Sequence, residues 1–436
     1  MPKLHTNFQS IAHRADSSGV ENPKRIRSNA VTFAALAFIV TNAGAADYSW
    51  TPQAKLMTRV DDNVRGASRS PETAWGFDTG ASINFLAQTA EITSELIPRV
   101  NARRFAVGDN LDADEYSIIF NNKWRLEKLV SAVNFMYARD STLTTEATDT
   151  GLRNDVTDRD TITVTPSVYY AVSDRLTAHC DFLFSDVAYL TSGATGLVGY
   201  TYLQGSAGLQ YQWNDRVESF VTITTSDFNA ATVESSTRTY SAQIGGVFHW
   251  DPTLDLTASM GWNVSAIDFV STTPVLVLNP VPHVEQARNP NSVWVNGPVA
   301  MVSIQKFFES SNLRIDYSRA VSPSGRGSQS SADRLEASAS RKLSDRLTLT
   351  VAALYEMRSS QAQNIRDLTF SQDLNRDYSE ARTSLRYRIG DEWATAVSFR
   401  YGYRKSTGGL APDTADTNAV YLSIEYNGMP KRFKGE

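Results

Sequence analysis

The chain has 436 residues, a net charge of −5, 41% hydrophobic residues and a mean hydropathy of −0.31. A helical membrane protein needs several apolar runs of about 20 residues, and only one stretch of this sequence is continuously apolar, so that class is excluded. The negative charge argues against nucleic acid as a partner. The single cysteine, Cys180, excludes an intramolecular disulfide and a cysteine metal cluster.

The first 45 residues have the pattern of an export signal. The basic segment 24–27 precedes an apolar run over 30–40, and the small residues Ala43, Gly44 and Ala45 follow. A basic region, a short apolar run and a small-x-small site together are typical of a cleaved signal peptide. We therefore expect cleavage after Ala45 and a mature chain of residues 46–436 that forms one domain.

Apolar and polar residues alternate with period two in segment after segment of the mature chain. In 347–357, leucine, valine, tyrosine and methionine alternate with threonine, alanine and glutamate, and 395–403 and 420–426 repeat this pattern. Successive residues of a strand point to opposite faces of the sheet, so each segment has one apolar face and one polar face. The pattern predicts an all-β protein.

The connections between these segments are alternately short and long. The near-repeat Ser-Asp-Arg-Leu-Thr at 173–177 and 344–348 is typical of tight hairpin turns, because the aspartate side chain accepts a downstream backbone N–H. Nine long loops and eight short turns predict eighteen strands, and sixteen remain possible because the first two hairpins are the least regular. The predicted long loops lie near 61–73, 104–112, 140–158, 187–198, 227–237, 268–292, 321–332, 359–375 and 405–417. The predicted turns lie near 88–91, 121–124, 173–175, 213–216, 250–253, 307–312, 343–346 and 389–392.

Long loops that alternate with short turns are typical of a single transmembrane antiparallel up-and-down β-barrel of the outer membrane. Only a closed sheet satisfies every backbone hydrogen bond of a β-structure in lipid. The predicted partners are therefore outer-membrane lipid, lipopolysaccharide and the barrel assembly machinery, with both chain ends in the periplasm. Aromatic residues are predicted to form a girdle at each membrane interface. The girdle at the short turns would contain Trp213, Trp250, Phe307, Phe308 and Trp393, and the girdle toward the long loops Phe184, Tyr189, Phe228 and Tyr403.

The sequence contains no pattern that indicates catalysis. Only His179, His249 and His283 lie in the mature chain, and the first two fall on polar phases of their strands. We find no phosphate-binding loop, zinc spacing or nucleophile elbow. The sequence predicts neither an enzyme nor a cofactor.

The polar face carries the candidate functional residues. Arginine ladders across a pore attract anions, because the guanidinium fork matches carboxylate and phosphate. The alternative is that opposite charges pair with one another and stiffen the interior of the barrel. The candidate pore-lining residues are Arg314, Glu356, Glu380, Arg382, Arg386, Arg388, Arg400 and Arg404.

A candidate constriction lies in the longest predicted loop. The apolar run Val275, Leu276, Val277 and Leu278 is surrounded by prolines. A loop of more than 20 residues with an apolar centre is unusual for a solvated loop. The sequence predicts that this segment either folds into the lumen as a constriction or packs on a neighbouring loop.

Four features resemble a known family: Leu96-Ile97-Pro98-Arg99-Val100, the segment 139–146, Val164-Thr165-Pro166-Ser167-Val168 and the Ser-Asp-Arg-Leu-Thr turns. Over roughly 50–430 the layout resembles outer-membrane proteins of the beta-barrel porin 2 type. Many of these are found with exopolysaccharide biosynthesis and export loci, some linked to the PEP-CTERM sorting system. The resemblance implies a place in the outer membrane and a role in moving a polysaccharide.

Three functions follow as hypotheses. The first is a passive porin-like channel, with an exported anionic polysaccharide as its passenger. The second is a general diffusion porin for small solutes, including small anions. The third is a plugged structural or adhesive barrel that acts through its extracellular loops.

Overall fold

The computed structural model describes residues 47–107, 111–143, 156–190, 197–230, 234–277, 283–324, 328–360, 375–407 and 413–434. The predicted signal peptide lies outside the described residues, so its cleavage stays a prediction. Within these ranges, no helix is long and apolar enough to span a membrane.

Nineteen strands form one sheet in the described part of the chain. Their bounds are β1 Asp47–Asp61, β2 Ala74–Gln88, β3 Ile92–Phe105, β4 Ala113–Arg125, β5 Leu129–Ser141, β6 Asp158–Ala171, β7 Leu176–Tyr189, β8 Tyr200–Asn214, β9 Val217–Ala230, β10 Ser235–Asp251, β11 Leu254–Val277, β12 His283–Phe307, β13 Ser311–Ser324, β14 Ser328–Lys342, β15 Leu347–Ser360, β16 Asn375–Arg388, β17 Trp393–Thr407, β18 Asp413–Asn427 and β19 Lys431–Lys434.

The sheet closes into a barrel. Each strand from β1 to β17 pairs antiparallel with the next along the chain, and β18 pairs antiparallel with β1 from Asp61↔Ala419 to Gln53↔Asn427. The short β19 continues the line of β18 along β1, from Trp50↔Lys431 to Asp47↔Lys434. The wall of the barrel is therefore eighteen strands wide, since β19 only extends β18. The prediction of eighteen antiparallel strands is confirmed.

Strands extend further than the sequence patterns predicted, mainly at the long-loop end. The segment 268–292, predicted as a loop, pairs as a ladder from Asp268↔Ser292 to Val277↔His283. The predicted turn at 121–124 is wrong, because β4 continues to Arg125 and Asn121 satisfies its amide within the sheet by donating to Glu95 Oε2 at 2.8 Å.

The two faces of the sheet differ in chemistry and exposure. On β17 the face with Val397 and Phe399 is exposed, whereas the face with Ala396 and Arg404 is buried. Exposed large apolar side chains recur on the first face of almost every strand, and such an apolar outer band is what a lipid-embedded barrel requires. We call this the outer face, and the opposite one, which faces the lumen, the inner face.

Trp213, Trp250 and Trp393 are exposed on the outer face, as predicted for a girdle, and Phe308 in the β12–β13 turn is also exposed. Phe307 is exposed but lies opposite Asn312 on the inner face, so its assignment to the girdle is wrong. At the long-loop end, Phe184 is also exposed. Tyr189 and Phe228, however, are buried and share the inner face, so their assignment to the girdle is wrong. Proximity to a loop does not determine the face of a residue, which depends on strand parity.

Candidate functional site: the barrel lumen

A buried charge network crosses the inner face of the first four strands. Arg103 Nε lies 2.9 Å from Asp78 Oδ1, and its Nη1 lies 3.3 Å from Glu115 Oε1. Arg59 lies 4.0 Å from Asp78 and stacks over the Phe105 ring at 4.5 Å. Because these side chains are mostly inaccessible to solvent, their main effect is to hold neighbouring strands in register.

A second network surrounds one carboxylate on β15. Glu356, whose side chain is only 2% exposed, lies 2.6 Å from Arg358 Nε, 3.4 Å from Arg376 Nη2 and 3.5 Å from Arg334 Nη1. Three guanidinium groups from three adjacent strands thus share one acid. A buried carboxylate is tolerated only when it is paired and hydrogen-bonded, and Arg334 also lies 3.0 Å from Glu336.

The register places all eight candidate pore-lining residues on the inner face. Strand β16 contributes Glu380, Arg382, Arg386 and Arg388 at alternate positions, and the strands on either side contribute Glu356, Arg400 and Arg404 at matching positions. The eighth, Arg314, lies on β13 and pairs with Asp316 on the same strand.

These eight residues differ in accessibility. Arg400 pairs with Asp61 at 2.9 Å and Arg404 with Asp413 at 3.0 Å, and both guanidinium groups are largely enclosed. Arg382 is 62% exposed although its partner Glu380 is only 6% exposed, and Arg386 is 43% exposed beside Glu425. The arginines therefore divide into an enclosed structural set and an accessible set.

Loop segments fold onto the inner face at the long-loop end. Val64 and Leu111, from the β1–β2 and β3–β4 connections, pack against Ala74 and Leu143. A second group joins Leu197, from the β7–β8 connection, to Val187 and Tyr189, and a third joins Tyr202, Phe228 and Ala230. These apolar clusters fill part of the lumen near the long loops.

The ends of β13 and β14 nearest the long loops, residues 320–324 and 328–331, lean into the lumen. We call these two segments the arms, and the long-loop end of the barrel its upper end. Gln329 Oε1 accepts a hydrogen bond of 3.0 Å from Thr239 Oγ1, which belongs to β10, four strands away. Thr239 Oγ1 also lies 2.9 Å from Ser265 Oγ, and all three side chains are buried. Strands four apart in a wide barrel do not touch unless one of them leans inward, so these arms narrow the lumen.

The predicted constriction segment lies elsewhere. The backbone of Val275, Leu276 and Val277 belongs to the β11–β12 ladder and pairs with Glu285, Val284 and His283. Leu278 lies outside the described residues, and the role of the run as a constriction stays a prediction. Sequence reasoning missed Gln329, because no local pattern distinguishes it from other polar residues of a predicted loop.

The seam between the arms and the wall is polar and poorly satisfied. Four buried side-chain atoms on these facing surfaces have no hydrogen-bond partner among the residues that the structure describes: Gln329 Nε2 on the arms, and Thr237 Oγ1, Ser241 Oγ and Asn263 Oδ1 on the wall. Each such group costs about 1–3 kcal/mol when it is deprived of water. The seam is therefore a weak contact.

A cavity of about 400 Å³ lies at the inner face of β1–β4 and β18. Its lining combines amides, a hydroxyl and charges of both signs: Gln53, Lys55, Ser82, Arg99, Asn101, Glu115, Glu425 and Asn427. Lys55 lies 3.7 Å from Glu425. Arg99 has no carboxylate within ion-pair distance among the residues that the structure describes, so it is available to an anionic ligand.

Two of the histidines face the lumen. His179 stacks on Tyr169 with ring centroids 5.8 Å apart. His249 Nδ1 lies 2.6 Å from Asp255 Oδ1, and its Nε2 lies 4.0 Å from Glu218. Among the described residues, no group of three or more histidine, cysteine and acidic side chains is arranged to hold a metal ion.

A closed eighteen-stranded barrel with an apolar outer face and a charged interior defines the chain as a transmembrane β-barrel.

No family model and no curated protein matches the sequence. The chain is similar in fold to several solved structures. The ferric-catecholate import receptor Fiu of E. coli (closed form) is 11% identical with a TM-score of 0.48, over 87% of this chain and 82% of that one. OpdQ of Pseudomonas aeruginosa is 12% identical with a TM-score of 0.44, over 88% and 98%. OccAB4 of Acinetobacter baumannii is 11% identical with a TM-score of 0.42, over 89% and 99%.

Proposed function

We propose that this protein is an outer-membrane channel that passes anionic solutes through an arginine-lined lumen. The observation that carries the proposal is the unequal exposure of paired charges. Arg382 and Arg386 reach the lumen, whereas Glu380 is almost completely buried and also accepts a hydrogen bond from Tyr378. At this part of β16 a passing solute therefore meets guanidinium groups rather than the Glu380 carboxylate, and positive groups on a pore wall attract anions.

The cavity of about 400 Å³ is lined by charges of both signs, and its Arg99 has no carboxylate within ion-pair distance among the described residues. It places Lys55 and Arg99 beside the amides of Gln53, Asn101 and Asn427. Cations bind an acidic group, and amides donate to and accept from sugar hydroxyls. This combination suits an acidic glycan or a small anionic solute.

We infer that an exported anionic polysaccharide is the passenger, with general diffusion of small solutes as the alternative. The sequence resemblance to barrels of exopolysaccharide loci favours the glycan. An extended acidic chain would contact several arginines at once, which multiplies weak contacts without tight binding at any one of them.

The proposed orientation follows from the connections. An even number of strands brings both chain termini to the same side of the membrane. Outer-membrane barrels have short turns on the periplasmic side and long loops outside. We propose that both termini are periplasmic and that the long loops face lipopolysaccharide. The turns with Trp213, Trp250 and Trp393 would then mark the inner leaflet.

Ion selectivity tests the proposal. Purified protein in a planar bilayer under a KCl gradient should give a reversal potential that indicates anion preference. Arg382→Ser with Arg386→Ser should shift it toward cations, whereas Arg238→Ser, on the outer face, should leave it unchanged. An unchanged reversal potential in the double variant would disprove the arginine-lined path.

A second experiment distinguishes passage of an acidic glycan from general diffusion. It compares the uptake into vesicles of an acidic and a neutral oligosaccharide of equal size.

A plugged barrel that acts through its loops is the second candidate. It is favoured by the apolar clusters around Val64, Val187 and Phe228, which fill part of the lumen. The absence of stepwise current from a correctly folded barrel would favour this candidate over the channel.

A further inference from the structure

The β12–β13 contact is incomplete at the long-loop end. Strand β12 pairs with β13 only from Phe307↔Asn312 to Ala300↔Arg319. Above this point β12 continues its ladder with β11 as far as His283. Within the described residues, the other edge of β12 at 292–299 has no strand partner, and β13 residues 320–323 have none on their β12 side.

An unpaired edge in a barrel wall is unusual. Exposed N–H and C=O groups of a strand edge pair readily with any extended segment that reaches them, and in the membrane such groups are strongly unfavourable without partners. The segment best placed to pair with the β12 edge is the upper part of β13, because it begins directly where the β12–β13 ladder stops.

Extension of the existing register shows what the completed ladder would contain. Ala300 lies opposite Arg319, so three further residues along each strand bring Gly297 opposite Ser322. Both positions belong to the inner face, so the pairing needs no change of face. A Cβ built on Gly297 meets nothing within 4 Å, which leaves room beside it.

The contact that now holds β13 and β14 in the lumen is well suited to release. It rests on the hydrogen bond between Thr239 and Gln329, and the seam leaves four buried polar atoms without partners among the described residues. Water that enters when the arms move outward would satisfy these atoms. Strand β14 stays paired with β15 as far as Ser330↔Ser360, so the upper ends of β13, β14 and β15 would move together.

We propose that the upper segment of β13 is a gate with two positions. In one it leans into the lumen, held there through Gln329 of β14 against Thr239, and in the other it pairs with the free edge of β12. The first position narrows the pore and leaves the wall incomplete. The second completes the wall and widens the pore. The gating role rests on the proposed channel function, whereas the movement itself does not.

Cross-linking tests the second position. On a Cys180→Ser background, Gly297→Cys with Ser322→Cys should form a disulfide under mild oxidation only if β13 reaches β12. Met301→Cys with Ser318→Cys, a pair already opposed in the ladder, is the matched control. The readouts are disulfide formation in the folded barrel, measured by mass, and single-channel conductance with and without reductant.

We expect both pairs to oxidise, and we expect the conductance of the Gly297→Cys/Ser322→Cys barrel to rise at least twofold on oxidation and to return on reduction. The control pair should show no change. If the control oxidises and the test pair stays reduced, the two positions are disproved, whether or not the protein conducts. Oxidation with unchanged or lower conductance disproves the gate. A wild-type barrel that never conducts, together with a test pair that oxidises, disproves the channel and leaves the movement demonstrated.

A thiol-free variant provides an independent measurement. Thr239→Ala with Gln329→Ala removes the hydrogen bond of the seam and should increase the time spent in the larger conductance state. Gln305→Ala, on the inner face of β12 below the free edge, is the control. An equal response in both variants would contradict the role of the seam.

Discussion

Arg400 on β17 reaches past β18 and places its Nη2 atom 2.9 Å from Asp61 Oδ2 at the end of β1. The two residues are separated by 339 positions in the chain. Asp61 is completely buried and also accepts the backbone N–H of Asn63 at 3.1 Å. This ion pair therefore joins the first and last parts of the barrel from inside, across the strand that closes the sheet.

Loss of the acid should weaken the closed barrel. Asp61→Asn leaves Arg400 enclosed without its counter-charge, and removal of one partner of a buried pair costs about 3–5 kcal/mol. We expect a decrease of that size in the free energy of unfolding, measured by denaturant titration of the barrel in lipid vesicles. Asp114→Asn, at the exposed pair with Arg104, is the control and should cost at most about 1 kcal/mol. Equal effects of the two variants would contradict the structural role of Asp61.

A second prediction concerns two glycines on the inner face of adjacent strands. A Cβ on Gly261 would lie 2.0 Å from the carbonyl oxygen of Ala242, and backbone cannot move aside cheaply. Gly261→Ala should therefore lower the free energy of unfolding by about 1–3 kcal/mol, the usual range for overpacking. Gly297→Ala, where the Cβ meets nothing within 4 Å, should be close to neutral. The same denaturant titration compares them, and a neutral Gly261→Ala would be inconsistent with the close approach of β10 and β11.

The strand count and the faces could be predicted from the sequence because period-two alternation is a local signal. Residues 347–357 show which face is apolar without any knowledge of their neighbours, so all eight candidate arginines and glutamates were assigned to the inner face. The hydrogen bond between Thr239 and Gln329 could not be predicted. It joins residues 90 positions apart, and it depends on how far one strand leans from the wall.

Other differences between the sequence-based predictions and the structure also arise from contacts between segments, which local patterns in the sequence do not show. Residues 268–277 were predicted as part of a long polar loop that contains several prolines, but a partner strand of equal length holds them in a ladder. Tyr189 and Phe228 resemble girdle residues in sequence, yet loop segments such as Leu197 provide apolar partners inside the barrel. Accessibility within the arginine set likewise depends on tertiary pairing, since Arg400 and Arg382 are both arginines at alternating strand positions.

A third prediction concerns a reciprocal motif, Arg139-Asp140 on β5 and Arg159-Asp160 on β6. The register sets Arg139 opposite Asp160 and Asp140 opposite Arg159. The first pair has two hydrogen bonds of 2.7 and 2.8 Å on the outer face, and the second has contacts of 3.1 and 3.3 Å on the inner face. The hairpin thus has one ion pair on each side of the sheet.

Charge reversal tests whether these pairs fix the hairpin. Asp160→Arg places two arginines opposite each other at a buried position and should lower the free energy of unfolding by about 3–5 kcal/mol. The swap Arg139→Asp with Asp160→Arg restores opposite charges and should recover most of the loss. Asp227→Arg, at the exposed pair with Arg238, should have a small effect. If the swap recovers nothing, the pairing does not contribute to the stability of the hairpin.

The last prediction concerns which face of β7 contacts lipid. Cys180 is a free, exposed thiol that alternates with Asp181 and shares its face with the exposed Phe182. If this face contacts lipid, a small fluorophore attached to Cys180 should be quenched several-fold more by nitroxide-labelled lipid than one attached at Ser206→Cys. The second position lies opposite Asp181 on the inner face and is tested on a Cys180→Ser background. A water-soluble quencher should give the reverse order, because the lumen admits water whereas the lipid excludes it. Equal quenching at the two positions would mean that the two faces of the barrel have been assigned incorrectly, and the arginine-lined path would then be wrong as well.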